Sequence, residues 1–244
     1  MKLKFPQQRK LLSIIIPVYN EKKTIDIILH KLVSLDIKKE ILIVNDGSTD
    51  GTKQKLLKFK KIKFIKIINL KKNYGKGYAV RQGIKHARGD LIIIQDADLE
   101  YNPEDIYKLL EPVKVYKAKF VIGSRVLSRN IYERPNGFIS DLLVFVNKFF
   151  SFVTSKIINQ KITDPQSCYK LFTYNLAKKM ILKENGFSFC NEIIFEAAKL
   201  GVKIYEVPIS YKGRSYKEGK KINIYDGLKM FYFLIKNFFK KFLD

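Results

Sequence analysis

The stretch Asp90-Leu-Ile-Ile-Ile-Gln-Asp-Ala-Asp98 places an unbroken apolar run directly before two carboxylates. Strands buried on both faces of a parallel sheet have such continuous apolar runs. The first half of the chain contains four further runs, and helical patterns of crossover length separate them. The runs are Leu11–Val18, Glu40–Asp46, Lys63–Leu70 and Ala118–Ser124, and the helical patterns are Thr24–Ser34, Thr52–Phe59, Gly77–His86 and Pro103–Tyr116. The sequence therefore predicts an α/β fold, a Rossmann-like, mostly parallel sheet flanked by helices.

The second half of the chain is less regular. It contains an apolar helical pattern, two shorter helical patterns, a short strand, a basic loop and a final helical pattern with lysines and aromatics. These are Phe138–Ile158, Asn175–Leu182, Glu192–Leu200, Lys203–Val207, Lys212–Lys221 and Ile222–Leu243, in that order. We predict one domain over residues 1–221 and a C-terminal amphipathic helix over 222–244. No stretch reaches about 18 uninterrupted apolar residues, so no clear transmembrane helix is predicted.

The composition indicates a basic protein with a substantial core. The chain has 244 residues, 46% of them hydrophobic, and a net charge of +24. Such a charge predicts an anionic partner, which is a membrane surface, nucleotide phosphates or nucleic acid, unless it reflects a genome with skewed composition. The N-terminal ten residues lack the apolar core of a secretory signal. Cys168 and Cys190 do not form a disulfide framework and are predicted to be reduced thiols.

Four predicted strand ends carry polar clusters. In open parallel sheets, ligands bind beyond the carboxyl ends of the strands, so these clusters predict one shared site. The clusters are Pro17–Glu21, Asn45–Gly51, Asp96–Glu100 and Gly123–Arg125.

The cluster after the fourth strand is typical of a divalent cation site. Asp96, Asp98 and Glu100 supply the oxygen ligands that Mg²⁺ or Mn²⁺ prefers, and they leave room for a diphosphate. The alternative is an acidic turn that caps the following helix. Asp46 lies at a strand tip, where its carboxylate can accept hydrogen bonds from a nucleobase or ribose, whereas Thr49 or Asp50 can serve as a helix cap.

Three cations stand out among the many lysines. Lys76 lies between two glycines at the start of a helix, where the backbone allows close approach of an anion. Arg125 follows the fifth strand and Arg214 lies in the late basic loop with Lys220, in a chain that has only seven arginines, and the guanidinium fork suits phosphate. The alternative for each arginine is a solvated surface cation.

Together these motifs resemble a known enzyme family. Ile15–Glu21, Val44–Thr52, Asn73–Gly77 and Asp96–Asp98 look like the family-2 glycosyltransferases, which have the A-type nucleotide-diphospho-sugar transferase fold. In the second half, Thr163–Lys170 resembles the acceptor-side motif of the dolichyl- or polyprenyl-phosphate mannose synthase branch, with Cys168-Tyr169 in place of Gly-Phe. Glu206–Ile209, leading to Arg214 and Lys220, is similar to the late loop of that branch.

The resemblance implies a role for each matching residue. The implied base and ribose contacts are Pro17, Tyr19, Glu21 and Asp46. The implied metal ligands are Asp96, Asp98 and Glu100, with Ala97 beside the donor, and the implied phosphate-binding cations are Lys76, Arg125, Arg214 and Lys220. Asp96, Asp98 and Arg125 would take part in catalysis. A second acceptor-side arginine is expected, and Arg129 and Arg134 are the candidates.

The implied reaction is an inverting transfer of mannose or glucose from GDP-mannose or UDP-glucose to a polyprenyl phosphate. The acceptor phosphate is already anionic near neutral pH, so no strongly activated general base is needed. A lipid acceptor implies contact with a membrane. The basic, aromatic helix at Ile222–Leu243 and the apolar helix at Phe138–Ile158 suit an anionic cytoplasmic surface, and the alternative is ordinary packing on the domain. The enzyme would then be peripheral on the inner face of the membrane, held directly or through a membrane-protein partner.

Two other functions are weighed against this one. A family-2 transferase with a soluble or glycan acceptor fits the first half equally well. Processive synthases of the family carry a Gln-x-x-Arg-Trp motif, and this chain has no tryptophan. A nucleic-acid-binding protein would fit the net charge, but the carboxylates at Asp96–Glu100 would repel a phosphate backbone.

Overall fold

The computed structural model describes residues 10–127, 132–133, 138–214, 219, 221 and 224–243. Within these residues the strands are β1 (Leu12–Val18), β2 (Lys39–Asn45), β3 (Ile65–Asn69), β4 (Leu91–Ile94), β5 (Phe120–Ser124), β6 (Tyr132–Glu133), β7 (Lys170–Thr173), β8 (Ile204–Pro208) and β9 (Tyr211–Lys212). The helices are α1 (Ile25–Ser34), α2 (Thr52–Leu56), α3 (Lys76–His86), α4 (Ile106–Tyr116), α5 (Phe138–Ile158), α6 (Tyr174–Lys179), α7 (Phe189–Lys199) and α8 (Ile224–Leu243). Short 3₁₀ turns at Leu57–Phe59 and Pro103–Asp105 extend α2 and precede α4.

A seven-stranded sheet in the order β3-β2-β1-β4-β7-β5-β8 forms the centre of the described structure. β1 pairs in parallel with both β2 and β4, so Ile15 lies beside Leu42 and Ile94. β5 and β8 are also parallel, whereas β7 is antiparallel to both of its neighbours. The prediction of a mostly parallel sheet is confirmed. β6 and β9 form a separate two-stranded sheet.

Helices cover both faces of the sheet because β1, β2, β4 and β5 are buried on both sides. Ile14 and Ile16 of β1 belong to one buried cluster with Ile28 of α1 and Leu109 of α4. Ile15, which points to the opposite face, belongs to a second cluster that includes residues of α3, α5, α6, α7 and α8. This two-sided burial explains the continuous apolar runs.

The structure corrects the bounds of two predicted helices and adds to the main sheet one strand that was not predicted. β7, which lies between β4 and β5, was not predicted, because only Leu171 and Phe172 are apolar in its four residues. α7 begins at Phe189, before the predicted start at Glu192. α6 ends at Lys179, before the predicted end at Leu182, because Met180 has an extended backbone.

The C-terminal helix α8 packs against the body of the protein. Met230 and Leu234 are buried, and the rings of Phe233 and Phe195 in α7 stack with centroids 5.7 Å apart. Among the described residues, no helix combines the length and apolar character needed to span a bilayer. The predicted domain boundary falls beside residues 222–223, which are outside the described ranges.

Candidate active site

Three acidic side chains from two loops, Glu21 after β1 and Asp98 and Glu100 after β4, meet at Arg214, which follows β9. Arg214 Nη2 lies 2.8 Å from Asp98 Oδ2, and Nη1 lies 3.2 Å from Glu21 Oε2. The backbone N–H of Arg214 donates to Glu100 Oε1 at 3.0 Å. Burial lowers the pKa of the guanidinium, but the charges of Asp98, Glu21 and Glu100 outweigh burial and raise it. Arg214 therefore joins the loop after β1 to the loop after β4 at one edge of the sheet.

The turn after β4 presents its carboxylates through a local hydrogen bond. Asp98 Oδ1 accepts the backbone N–H of Glu100 at 3.1 Å, as in an Asx turn, and Leu99 takes a left-handed φ of 66°. Glu100 Oε2 accepts a hydrogen bond from the Tyr211 hydroxyl at 2.7 Å. Burial and the charges of Asp96 and Glu100 raise the pKa of Asp98 to about 7, against the opposing charges of Arg214 and Lys76. Burial and the neighbouring carboxylates thus outweigh the cations in their effect on the pKa of Asp98.

Lys76 supplies a second half-buried cation at the same edge. Its Nζ lies 2.5 Å from Asp96 Oδ1 and 2.8 Å from the Cys168 sulfur. Burial lowers the pKa of Lys76, but Asp96 more than compensates and holds it well above the ordinary value. The prediction that Lys76 begins a helix is confirmed, because α3 starts at this residue. Lys76 is therefore a charged ammonium beside the predicted metal ligand Asp96.

Asp46 organises the glycine turn that carries Lys76. Its two carboxylate oxygens accept the backbone N–H groups of Tyr74 at 2.8 Å and Gly75 at 2.9 Å. Burial raises the pKa of Asp46, and these two hydrogen bonds partly offset the effect. Asp46 thus joins the loop after β2 to the start of α3, and its role toward a base or ribose remains a prediction.

Arg125 lies at the end of β5, in a bidentate pair with Asp164. Its Nε and Nη2 each lie 2.7 Å from an Asp164 oxygen, and its guanidinium lies over the Tyr211 ring at 4.9 Å. Because Tyr211 also donates to Glu100, this pair adjoins the cluster around Arg214. Arg125 is thus a rigidly held cation and not the solvated surface cation of the alternative reading.

The remaining predicted positions fall into two groups. Pro17 lies in β1, Tyr19 is half-buried beside it, and Ala97 is buried between the two aspartates. The other predicted cations, Lys220, Arg129 and Arg134, lie outside the described residues.

The predicted metal ligands do not form a preformed site. Among the described residues, no group of three or more His, Cys, Asp or Glu side chains converges as metal ligands do. Asp96 is instead paired with Lys76, and Asp98 and Glu100 are paired with Arg214. The oxygen ligands nevertheless suit a hard cation. The carboxylates of Asp96 and Asp98 repel each other, and a bound cation would relieve that repulsion.

Comparison with known proteins identifies the family. The model of the family described as Glycosyl transferase family 2 matches residues 13–181, which include β1 to β5 and the strand ends described above. The chain belongs to glycosyl transferase family 2.

Two relatives of this glycosyltransferase are named as sugar transferases with dolichyl phosphate in their names. It is 32% identical over 246 residues to a dolichyl-phosphate beta-glucosyltransferase of Trichomonas vaginalis, covering 92% of this chain and 72% of that protein. It is 30% identical over 254 residues to a UDP-N-acetylglucosamine–dolichyl-phosphate N-acetylglucosaminyltransferase of Methanococcus voltae, covering 96% and 99%. The prediction of a family-2 glycosyltransferase is confirmed, and it supersedes the nucleic-acid-binding alternative.

A solved structure supports the fold of the glycosyltransferase. Glucosyl-3-phosphoglycerate synthase from Mycobacterium tuberculosis, solved with Mn²⁺, UDP and glucosyl-3-phosphoglycerate, superposes with a TM-score of 0.70 at 16% identity. The alignment covers 93% of this chain and 80% of that one. The predicted A-type fold is thereby confirmed.

Sequence reasoning missed three side chains of this glycosyltransferase site. Asp164 pairs with Arg125, Tyr211 bridges Arg125 and Glu100, and Lys221 lies 2.5 Å from Glu21. Asp164 lies in the motif Thr163–Lys170, which resembles the family, and Lys221 directly follows the late loop that ends at Lys220, so each had a signal nearby. Tyr211 follows no apolar run long enough to mark a strand end.

Proposed function

We propose that this protein is an inverting hexosyltransferase that moves a hexose from a nucleoside-diphosphate sugar to a polyprenyl phosphate. The observation that carries the proposal is the convergence of Glu21, Asp98 and Glu100 on Arg214, with the pair Lys76–Asp96 at the same sheet edge. Dolichyl phosphate appears in the names of the relatives from Trichomonas vaginalis and Methanococcus voltae, which supports the lipid phosphate acceptor.

The proposed donor site uses both signs of charge. Asp96 and Asp98 would hold Mg²⁺ or Mn²⁺, while Glu100 braces Arg214. The ion would supply electrostatic stabilisation of the negative charge on the departing diphosphate. Lys76 and Arg214 are half-buried cations, already held by ion pairs, that would stabilise the same charge without reorganising. Pro17, Tyr19, Glu21, Asp46 and Ala97 are proposed to line the nucleoside side of the donor, and Lys220 to add a further phosphate contact.

The proposed chemistry needs no deprotonation of the acceptor. An oxygen of the lipid phosphate attacks the anomeric carbon of the hexose as the bond from that carbon to the diphosphate breaks on the opposite side. The configuration therefore inverts, and the nucleoside diphosphate leaves with the bonding electrons. Arg125, which Asp164 holds at the border of the site, would orient the acceptor phosphate. The absence of an activated histidine from this scheme follows from the acidity of the acceptor.

We propose a uridine donor in preference to GDP-mannose. The Methanococcus voltae relative is named for UDP-N-acetylglucosamine, and the relative from Trichomonas vaginalis is named a glucosyltransferase. The structurally similar mycobacterial enzyme was solved with UDP and Mn²⁺.

The membrane contact is proposed for a surface that α5 and α8 share, here called the α5–α8 face. On α5, Phe145, Phe149 and Phe152 are exposed and follow one helical stripe. On α8, Leu228, Tyr232, Ile235 and Phe239 form a second exposed stripe. The rings of Phe149 and Phe231 lie 6.2 Å apart, which makes the two stripes continuous.

Lysines and the net charge support an anionic lipid surface as the partner of this face. Lys148 and Lys156 lie on α5, Lys229 and Lys236 lie on α8, and the chain carries a net charge of +24. Aromatic side chains beside lysines suit the interface of an anionic leaflet. We propose that the enzyme is peripheral on the cytoplasmic face, where the lipid acceptor is available. A membrane-protein partner would be the alternative ligand of this face.

A donor and acceptor matrix tests the proposed function. The purified protein would be incubated with Mn²⁺, one of UDP-glucose, UDP-N-acetylglucosamine or GDP-mannose, and either a short polyprenyl phosphate or an oligosaccharide. We expect a polyprenyl-phosphate hexose, detected by mass spectrometry, with one uridine donor. Transfer to the oligosaccharide alone would support the glycan-acceptor alternative, and product only from GDP-mannose would overturn the donor assignment.

A further inference from the structure

The segment Thr163–Cys168 is held by two charged side chains that the proposed mechanism does not use, the half-buried Glu206 and the buried Lys170. The Glu206 carboxylate, on β8, accepts the backbone N–H of Thr163 at 2.8 Å and that of Asp164 at 3.1 Å. Lys170, on β7 and 1% exposed, donates from Nζ to the carbonyls of Pro165 and Ser167. The carboxylate of Glu206 thus accepts hydrogen bonds from the N–H groups at the start of the segment. The Nζ group of Lys170 donates hydrogen bonds to the carbonyls that follow.

Asp164 is the residue whose backbone Glu206 fixes, and its side chain in turn fixes Arg125. Besides its two side-chain contacts, Asp164 Oδ2 accepts the backbone N–H of Arg125 at 3.0 Å. Burial raises the pKa of Asp164, but the charge of Arg125, with a contribution from Lys170, outweighs it and holds the pKa below the ordinary value. Asp164 is therefore an anion whose position depends on Glu206 and whose charge is matched by Arg125.

This arrangement leaves one edge of the Arg125 guanidinium available. Nε and Nη2 are engaged by Asp164, whereas no hydrogen bond from the described residues engages Nη1. The face of the guanidinium lies against Tyr211, which adjoins the cluster around Arg214. A guanidinium fixed along one edge and one face can bind an anion only along its remaining edge.

A carboxylate at position 206 has a specific advantage over an amide. Burial raises the pKa of Glu206, and its hydrogen bonds to the N–H groups of Thr163 and Asp164 partly offset that cost. Both oxygens accept the N–H of Thr163, and one also accepts that of Asp164. A glutamine at position 206 has only one acceptor oxygen, so its NH₂ group would face the backbone N–H of Thr163. Two donors cannot form a hydrogen bond with each other. The segment thus relies on the second oxygen of Glu206.

We propose that Glu206 is a positioning residue for Arg125, acting through the backbone of Thr163 and Asp164. Only the identity of the anion, the acceptor phosphate, rests on the proposed function. Lys170 fixes the other half of the same segment, so it contributes to the same positioning.

Arginine-selective NMR on the full-length protein tests this proposal without requiring activity. The Nε–H resonance of Arg125 is assigned by its loss in Arg125→Lys. We expect Glu206→Gln to speed its hydrogen exchange by about tenfold or more, because the pair with Asp164 opens more often. The matched control is Glu196→Gln on α7, which also removes a carboxylate that accepts a backbone N–H, in this case that of Ile181. Unchanged Arg125 exchange in a folded Glu206→Gln protein would overturn the proposal.

Two further variants keep the test decisive if Glu206→Gln fails to fold. Glu206→Asp retains both oxygens on a shorter side chain and should accelerate exchange less, whereas Asp164→Asn breaks the pair directly and should accelerate it most. Exchange that is the same in Glu206→Asp as in the wild type, together with fast exchange in Asp164→Asn, would contradict a role for Glu206.

Kinetics add a readout that a purely structural role would not move. Glu206→Gln should lower kcat/KM for the polyprenyl phosphate by about tenfold while the KM for the donor is unchanged. If Glu206 acts through Arg125, Glu206→Gln should cost nothing further in an Arg125→Lys background. Multiplicative losses would overturn the proposal. A wild-type protein without transfer activity would reject the proposed function, and the exchange measurement would still decide the role of Glu206.

Discussion

The side chain of Lys76 contacts two groups of the candidate site that lie far apart in the sequence. Lys76 begins α3, and its ammonium contacts Asp96 and the sulfur of Cys168. We expect Lys76→Met to lower the rate of hexose transfer by about 10²-fold or more, because the half-buried cation that is proposed to stabilise the departing diphosphate is lost. Steady-state kinetics with the donor varied would measure the change.

The matched control is Lys85→Met, which makes the same substitution on the exposed side of the same helix. It should leave the transfer rate within twofold or so of the wild type. Equal losses in the two variants would mean that Lys76 acts through general charge and not through its contact with Asp96.

For individual residues, the sequence predicted the positions of the acidic side chains better than it predicted the cations that pair with them. Asp96 and Asp98 directly follow a buried apolar run, so their place at the sheet edge was predictable. Their pairing with Lys76 and Arg214 depends on how distant loops meet, which no local pattern encodes. The contacts of Asp164 and Tyr211 with Arg125 escaped prediction for the same reason.

At the scale of elements, the turn before α3 depends on a glycine. Gly75 has a φ of 100° and a ψ of 157°, a backbone conformation that residues with a Cβ rarely adopt. A Cβ at this position would lie 2.5 Å from the carbonyl oxygen of Asn185. We expect Gly75→Ala to lower the free energy of unfolding by about 3 kcal/mol, measured by urea denaturation. The reason is the combination of backbone strain and a clash with main chain.

Gly186→Ala is the control for this element. A Cβ at Gly186 would meet nothing within 4 Å, and its φ is not in the left-handed range. We expect that substitution to change the free energy of unfolding by less than about 1 kcal/mol. Similar destabilisation by both substitutions would show that the turn tolerates a side chain at Gly75.

The strands divide into those that the sequence predicts and those that it does not, and β7 is the unpredicted strand of the main sheet. β1, β2, β4 and β5 are buried on both faces, so their apolar runs were sufficient evidence. β7 has four residues and begins with Lys170. The charge of Lys170 is compatible with burial only because Nζ donates hydrogen bonds to the carbonyls of Pro165 and Ser167. That compensation is tertiary, and the same holds for its antiparallel insertion between β4 and β5.

At the scale of the whole molecule, the α5–α8 face is the test of membrane contact. Replacing Phe145 and Phe152 with serine removes two exposed rings from this face. Each ring would contribute about 1.5–3 kcal/mol if it were buried in the interface. We expect the double variant to lose most of its flotation with liposomes that contain anionic lipid, and we expect weak flotation of the wild type with zwitterionic liposomes.

A double variant on other helices provides the control for flotation. Leu57 follows α2 and Val115 lies on α4, and both are exposed at 58% and 61%. Serine at these two positions should leave flotation unchanged. Flotation of the α5–α8 double variant at the level of the wild type would remove this face as the membrane contact.

Nucleotide binding by calorimetry tests the proposed donor site most directly, with UDP and GDP titrated into the protein with and without Mn²⁺. We expect Mn²⁺ to strengthen binding of one nucleotide to the wild type and to Asp90→Asn, which alters the opposite end of the β4 segment. In Asp98→Asn the strengthening by Mn²⁺ should disappear while weak binding remains. An undiminished effect of Mn²⁺ on Asp98→Asn would contradict a donor site built from the strand-end carboxylates.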